Sequence, residues 1–292
     1  MEFVGVGVAF LIATALSTST SKSLVDGAGD FVIEQARALL EKNALKPVIR
    51  NIRSILWKRM KMRDAKKLTK ILVGLLQDPI DDVTFINKLK TTYDQLPKYN
   101  IPCIRTNKRI DDLSMFIDNP NVILDIGCAD GSILQSLKIK YNLRTDQVIG
   151  ADIIDTAPKD ITFVKVANNK IPLSANSVDT VIVLMTAHHF DLFMLDEIKR
   201  VMKPGAMLIV REHDYTTQLD AVFWDLMHLM YECVIYEERT PEEFLRQYRS
   251  IYRSKNAWLK IFEEYGFSEK RTTTYNQYDP FKSFYMVFEK AS

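Results

Sequence analysis

The hydrophobic positions of this chain change their period near residue 121. Before it, Ile33, Ala36, Leu40, Leu45, Ile49, Ile52, Leu56 and Met60 recur at threes, fours and fives, which is the spacing of one apolar stripe on a helix. The stripe predicts helical structure from about Phe31 to Gln77. Pro47 should kink or divide it, because proline lacks the N–H and crowds the preceding turn. Further upstream, Phe3 to Leu16 is an uncharged, mostly apolar run. It is shorter than the roughly 20 residues a membrane-spanning helix needs. It also lacks the positive flank of a secretory signal, since Glu2 is the only charge before it, although small residues follow it. Three readings stay open: a helix buried against the protein or a partner, a membrane-associated or signal-anchor segment, and a cleaved signal.

From Asn121 the pattern becomes strand and helix in alternation. Short apolar runs at Val122–Ile126, Gln147–Asp152, Ile161–Val166, Val178–Met185 and Ala206–Arg211 read as strands. Helical spacing falls at Ser132–Tyr141 and from about Leu192 to Met202, and Pro204-Gly205 turns the chain into the fifth strand. Alternation of this kind implies parallel pairing through crossovers, hence a doubly wound α/β sheet. Glu269–Tyr275 and Ser283–Glu289 are strand-like around a polar turn and predict an antiparallel hairpin on the sheet edge. The expected fold is therefore a mostly parallel, seven-stranded α/β sheet behind an N-terminal helical segment. The expected boundaries are a hydrophobic segment at 1–20, a basic helical region at 21–100 and the α/β domain at 101–292.

Charge adds an asymmetry that the net value of +2 conceals. Residues 35–70 hold twelve Lys and Arg against only Glu41 and Asp64. A long-range attraction for phosphates would thus sit in the N-terminal region. A basic amphipathic segment at 31–77 suits an anionic membrane or nucleic acid, or a solvated face on helices that bind a protein partner. The three cysteines, Cys103, Cys128 and Cys233, are far apart and show neither CxxC nor Cys/His metal spacing. They read as reduced thiols of an intracellular, cytoplasmic protein with no metal site, membrane attachment through the N-terminus being left open.

The most informative string is Val122-Ile-Leu-Asp125-Ile-Gly127-Cys128-Ala129-Asp130-Gly131-Ser132. A buried strand runs into a glycine loop that opens a helix. Gly127 lets the backbone turn sharply, and Gly131 lets a ligand approach the helix start. Asp125 falls at the strand's carboxyl end, the ligand-binding edge of such sheets. Asp152 ends the next strand, about twenty residues on, where a carboxylate can accept both hydroxyls of a ribose. Dinucleotide enzymes share this spacing, so it points to a nucleoside rather than to one cofactor.

The wider string is more specific. D-I-G-C-A-D-G resembles the D-x-G-x-G-x-G motif of class I methyltransferases. Phe163 to Leu173 and Asn176 to Ile182 resemble their F-x-x-x-D-x-x-x-L-P-F and S-F-D-x-V stretches. His188-His189-Phe190 resembles their L-H-H segment, Lys203-Pro204-Gly205 their L-K-P-G-G turn, and Gly266-Phe267 their closing G-F. The resemblance implies S-adenosylmethionine as cofactor. It implies that Asp125, Gly127, Cys128, Gly131 and Ser132 line its methionine and ribose part, that Asp152 holds the ribose, and that Ile153 packs on the adenine. Asn168 and Asn169 would lie near the adenine amino group, and Met185, Thr186 and His188 would border the sulfonium. Two positions depart from the pattern. Ala129 replaces the second glycine, a change that is tolerated at negative φ. Ala167 takes the place of the usual acidic residue near the adenine.

Methyl transfer needs a base only where the acceptor loses a proton, and in this fold a base belongs at the carboxyl ends of strands four and five. His188 follows strand four, while Glu212 and His213 follow strand five. Each is a candidate, against a purely structural role. The Lys-Asp-Lys-Glu tetrad of one group of ribose 2′-O-methyltransferases lacks its aspartate here, and the Asn-Pro-Pro-Tyr motif of amino-group DNA methyltransferases is absent. Between Asp220 and Lys260, Tyr248 and Tyr252 interleave with Arg246, Arg249 and Arg253, which suits either nucleotide stacking or an amphipathic helix with its rings in the core. The acceptor expectation leans toward RNA or another nucleotide-bearing molecule over a small molecule. The contrasting expectation is a methyltransferase-like scaffold without turnover.

Overall fold

The computed structural model describes residues 28–97, 104–154 and 160–291. Phe3–Leu16 and Cys103 lie outside them. In chain order the elements are α1 (Ala28–Glu41), α2 (Lys46–Trp57), α3 (Met62–Gln77), α4 (Asp82–Asp94), α5 (Ile104–Ser114), β1 (Ile123–Ile126), α6 (Ser132–Tyr141), β2 (Val148–Asp152), β3 (Thr162–Lys165) and β4 (Val178–Leu184). There follow α7 (Met194–Val201), β5 (Met202–His213), α8 (Gln218–Leu229), α9 (Pro241–Gln247), α10 (Lys255–Glu264), β6 (Phe267–Thr272) and β7 (Ser283–Lys290). They group into two compact units: the described residues before 102 with Tyr215–Tyr252, and those from 104 to Asp214 with those from Arg253 on.

The first unit is helical. The stripe, expected to be kinked or divided at Pro47, is three helices. The first break precedes Pro47: Asn43 takes a left-handed φ of 54°, and its N–H and that of Ala44 donate back to the Leu40 and Leu39 carbonyls. That is a Schellman stop, which asparagine tolerates better than most residues. Pro47 then sits in the first turn of α2, where a missing N–H costs nothing. The apolar stripe is buried as expected, through Val48, Ile49, Ile52, Ile55 and Leu56 of α2. Among the described residues no helix is long and apolar enough to cross a membrane.

Residues Tyr215–Tyr252, which the sequence placed inside the α/β domain, group with these helices instead. The physical reason is α8. Ala221, Val222, Phe223, Trp224, Leu226, Met227 and Leu229 are all buried, and a helix that is apolar all round needs partners on every side. The aromatic residues that follow it also point inward. Asp225 Oδ1 accepts from the hydroxyls of Tyr248 (2.7 Å), Tyr252 (2.8 Å) and Ser250 (3.0 Å), and Trp224 packs edge-on to Tyr252.

The second unit is a seven-stranded sheet in the order β3-β2-β1-β4-β5-β7-β6. Strands β1 to β5 pair in parallel, and β7 runs antiparallel to both β5 and β6. The expected hairpin thus forms the edge, with β7 inserted beside β5. Buried side chains lie on both faces of the sheet. Leu195, Ile198, Trp258, Ile261 and Phe262 of α7 and α10 cover one; Ile110, Leu113, Ile133, Leu134 and Leu137 of α5 and α6 cover the other. Strand β5 is longer than expected because it begins at Met202 and carries Pro204-Gly205 within it, Gly205 at φ 73°.

Candidate active site

Parallel pairing brings the carboxyl ends of β1, β2, β3, β4 and β5 to one edge, and the cofactor and base candidates of the sequence end or follow these strands. Register fixes the centre: Asp125 of β1 is opposite Gly150 of β2 and Ile182 of β4. Gly127 follows at φ 75°, and a Cβ on it would overlap the side chain of Thr186. Only glycine allows that approach between the β1 and β4 loops. Gly131 takes φ 71° immediately before α6. The loop is tied to β2 by main-chain bonds from Gly127 and Cys128 to the Ala151 carbonyl (2.7 and 3.4 Å). It is tied further by the carboxylate of Asp152, whose Oδ2 accepts from the Ala129 N–H at 3.0 Å and Oδ1 from the Ile154 N–H at 3.1 Å. Asp130 caps the following turn, accepting from the Ser132 N–H at 3.0 Å.

Ala129 has φ 46°. The negative φ that would make alanine an easy replacement for glycine is not adopted, because the loop must keep its N–H aimed at Asp152. Asn168 and Asn169 likewise have φ 51° and 54°. They are the central pair of a tight turn closed by the Lys170 N–H donating to the Ala167 carbonyl at 2.9 Å. That is type I′ geometry, and asparagine suits both of its central positions. Met185, at the end of β4, is also left-handed at φ 62° and donates its N–H to the Arg211 carbonyl at 2.8 Å. A bulky residue held this way carries strain of the kind concentrated at functional sites.

Burial governs the carboxyl near the end of β1. Burial pushes Asp125, 3% exposed, up to about 8; Asp152 and Asp130 push the same way and Arg109 opposes. Burial and the same acids push the Cys128 thiol up to about 12, so it is an inert packing group whose sulfur would be struck by any side chain at Gly150. Beside Asp152, Ile153 and Ile154 are exposed, 62% and 41%. Two large apolar side chains next to a carboxylate suit a nucleoside, with its apolar base face and polar sugar.

The proton-transfer candidates also meet. His188 Nδ1 lies 2.8 Å from Glu212 Oε2 and 3.0 Å from Oε1, and both residues are buried. Glu212 accepts two further bonds, from the main-chain N–H of His188 (3.2 Å) and of His213 (3.1 Å). Burial pushes its pKa up, while His213 and these N–H groups hold it down. The His213 ring sits 5.4 Å from that of His188, and its Nδ1 donates to the Phe281 carbonyl at 2.6 Å.

Three supporting residues escaped the sequence reading of the site. Asp214 accepts from the Lys255 N–H (2.7 Å) and the Tyr275 hydroxyl (3.2 Å), tying the end of β5 to α10. Arg253 is 7% exposed, stacks over Trp258 at 4.7 Å, and has its pKa lowered to about 10 by burial while Glu212 opposes the change. Arg109 bears on Asp125. Asp214 directly follows the Glu212-His213 pair and Arg253 stood in the Arg/Tyr interleave, but Arg109 precedes β1 with no local signal.

Comparison with known proteins finds one family model, described as "Methyltransferase domain", that matches residues 124–210. No curated protein matches the chain. Solved structures that resemble it include a methyltransferase from Haloferax volcanii in complex with the Trm112 activator (16% identity, 64% of this chain and 89% of that one, TM-score 0.46). Others are a SAM-dependent methyltransferase from Aquifex aeolicus (20% identity, 73% and 100%, TM-score 0.45) and one from Methanosarcina mazei (19% identity, 62% and 97%, TM-score 0.43).

Proposed function

We propose that the chain carries a class I, S-adenosylmethionine-dependent methyltransferase domain, which the methyltransferase-domain match over residues 124–210 supports, and that it methylates an oxygen or nitrogen acceptor whose proton passes to the His188–Glu212 pair. S-adenosylmethionine is the domain's cofactor and supplies a methyl carbon already activated by the sulfonium.

The donor set suits that cofactor. Asp152 and the exposed Ile153 suit a ribose and an adenine face, and Asn168 and Asn169 would face the adenine. Asp125, Gly127, Cys128, Gly131 and Ser132 would hold the methionine part, and Met185 and Thr186 would lie toward the acceptor. The Asp130 and Asp152 carboxylates beside the protonated Asp125 suit a ligand that brings positive charge.

The observation that carries the acceptor reading is the buried His188–Glu212 contact. With Nδ1 protonated toward the carboxylate, Nε2 is the basic nitrogen of the His188 ring, the arrangement of a general base oriented by an acid. His213, fixed by Phe281, flanks it and shares the carboxylate's field. A base is superfluous for a thioether or carbanion acceptor, so the reading selects hydroxyls and amines. An RNA or nucleotide-bearing acceptor meets that requirement, as does a small molecule. Tyr248 and Tyr252 are not its stacking platform, since both are buried against Asp225.

The test uses the full chain. Calorimetry with S-adenosylmethionine should give a Kd on the order of micromolar, lost in Asp152→Ala. Methyl transfer to a panel of hydroxyl and amine acceptors, small molecules and oligonucleotides, should fall about a hundredfold or more in His188→Asn. That variant keeps a donor toward Glu212 but has no second ring nitrogen, so turnover should fall far more than cofactor affinity. A folded chain that binds no cofactor, or a His188→Asn variant with undiminished turnover, would sink the proposal.

A further inference from the structure

The helical unit carries a charge pattern that methyl transfer does not use. Between Lys42 and Lys70 nine cationic side chains are exposed: Lys42, Lys46, Arg50, Lys58, Lys61, Arg63, Lys66, Lys67 and Lys70. The only acidic residue from Lys42 to Gln77 is Asp64, which is buried at 3% exposure. No exposed carboxylate in this stretch offsets the nine.

Helical spacing sorts the cations into stripes. Lys46, Arg50 and Trp57 recur at four and seven along α2, and Arg63, Lys66, Lys67 and Lys70 at threes and fours along α3. The Arg53 Nε–H donates to Thr69 Oγ1 at 3.1 Å and locks the two helices side by side. Within the α2 stripe Trp57 is 58% exposed, whereas Trp224 and Trp258 are 0% and 1%. An exposed indole among cations offers a flat face on which a base can stack.

Two kinds of polyanion suit such a face, and the burial pattern separates them. A helix that lies on a lipid surface inserts its apolar side. Here those sides are spent inside the unit: Ile49, Ile52, Ile55 and Leu56 of α2, and Leu68, Leu72, Leu75 and Leu76 of α3, are all buried. What remains is a track of point charges with one flat ring. Single-stranded nucleic acid presents that complement, a phosphate backbone with bases free to stack. We propose that the α2–α3 face binds single-stranded nucleic acid, with phosphates on the cations and a base on Trp57.

The experiment measures anisotropy of labelled 20-nucleotide oligouridylate and oligothymidylate with the full chain and no cofactor, so that it stands apart from methyl transfer. Both oligomers should bind, and log K should fall with log salt at a slope of about −3 to −5. Lys66→Glu/Lys67→Glu/Lys70→Glu should weaken binding at least about tenfold and flatten the slope, and Trp57→Ala should weaken it about tenfold. Because Trp57 is the exposed indole, binding should quench its emission, a signal absent in Trp57→Ala. The replaced residues are exposed, so circular dichroism and cofactor affinity should be unchanged. The proposal is overturned if neither oligomer binds at low salt, if both variants bind as tightly as the parent, or if phosphatidylserine vesicles capture the chain while oligomers leave Trp57 emission unaltered.

Discussion

Glu212 holds His188 with both of its oxygens: Oε2 lies 2.8 Å and Oε1 3.0 Å from the ring Nδ1. Each oxygen accepts a main-chain N–H as well, Oε1 from His188 and Oε2 from His213. Every lone-pair direction in use therefore faces a donor, and the contact joins the segment that follows β4 to the end of β5, at the sheet edge that also carries Asp125 and Asp152.

This geometry predicts the result of Glu212→Gln. The amide has one acceptor oxygen, and its NH2 must face an N–H wherever it turns. A buried donor left without an acceptor costs about 1–3 kcal/mol. The variant should lose stability by about that amount in urea. It should also lose methyl transfer by about a hundredfold or more, since the ring loses the carboxylate that fixes its tautomer. Unchanged stability with unchanged turnover would show that Glu212 does not work through this contact.

Asp125 predicts a pH dependence. Its carboxyl, pushed up to about 8 by burial, with Asp152 and Asp130 adding and Arg109 opposing, keeps its proton in the native state at pH values where the unfolded chain has released it. The native state then binds more protons between about pH 4 and pH 8, so stability falls across that window as pH rises. The contribution is whole below about pH 4 and gone above about pH 8. Asp125→Asn carries no such titration. Denaturation midpoints taken from pH 4 to 9 should therefore move apart in favour of the variant up to about pH 8, and parallel curves would refute the assignment.

How much of this was legible follows from the range of the forces involved. Asp125, Gly127, Gly131 and Asp152 declare themselves locally: a strand must end, a loop must take positive φ, and a carboxylate must sit one strand away. The strands from Ile123 to His213 were legible for the same reason, since an apolar run needs no distant partner to be recognised. The grouping of Tyr215–Tyr252 with α1 to α4 was not. Trp224 and Phe223 say only that α8 is buried, and burial does not name the neighbour. Asn168 and Asn169 show a subtler limit. Two adjacent asparagines suit a type I′ turn as well as a ligand contact, and the pattern does not separate the two uses. Arg109 acts on Asp125 through space, which leaves no trace in the string.

Glu197 makes the opposite prediction at acid pH. Its carboxylate accepts from Arg200 (2.8 Å), Lys170 (2.9 Å) and the Ile171 N–H (3.2 Å), and so clamps the segment after β3 to α7. Arg200 first, then Lys170 and the Ile171 N–H, lower its pKa to about 2 against the opposing effect of burial. Here the unfolded chain binds the proton first. The stabilisation is present above about pH 4.5 and is lost as pH falls toward 2. Glu197→Gln should flatten the acid limb of the stability curve between pH 2 and 5 and be less stable than the parent at pH 7. An acid limb of unchanged steepness would show that another carboxylate governs it.

Ala129 offers a test in which the sign alone decides. At φ 46° its Cβ crowds the backbone, at a cost of about 1–2 kcal/mol for an L-residue in the left-handed region. Glycine removes that cost but widens the unfolded ensemble, which takes back about 0.4–1 kcal/mol. Ala129→Gly should therefore stabilise the protein by about 0.5–1 kcal/mol in chemical denaturation, because the loop's N–H can still reach Asp152 Oδ2. If the loop instead held residue 129 at negative φ, the entropy of glycine would act alone and the same substitution would destabilise by about 0.5–1 kcal/mol. The two outcomes have opposite signs. A stabilised variant would show that the chain tolerates strain at this position in order to keep the loop's N–H on Asp152; a destabilised one would place the loop in another conformation and detach it from that carboxylate.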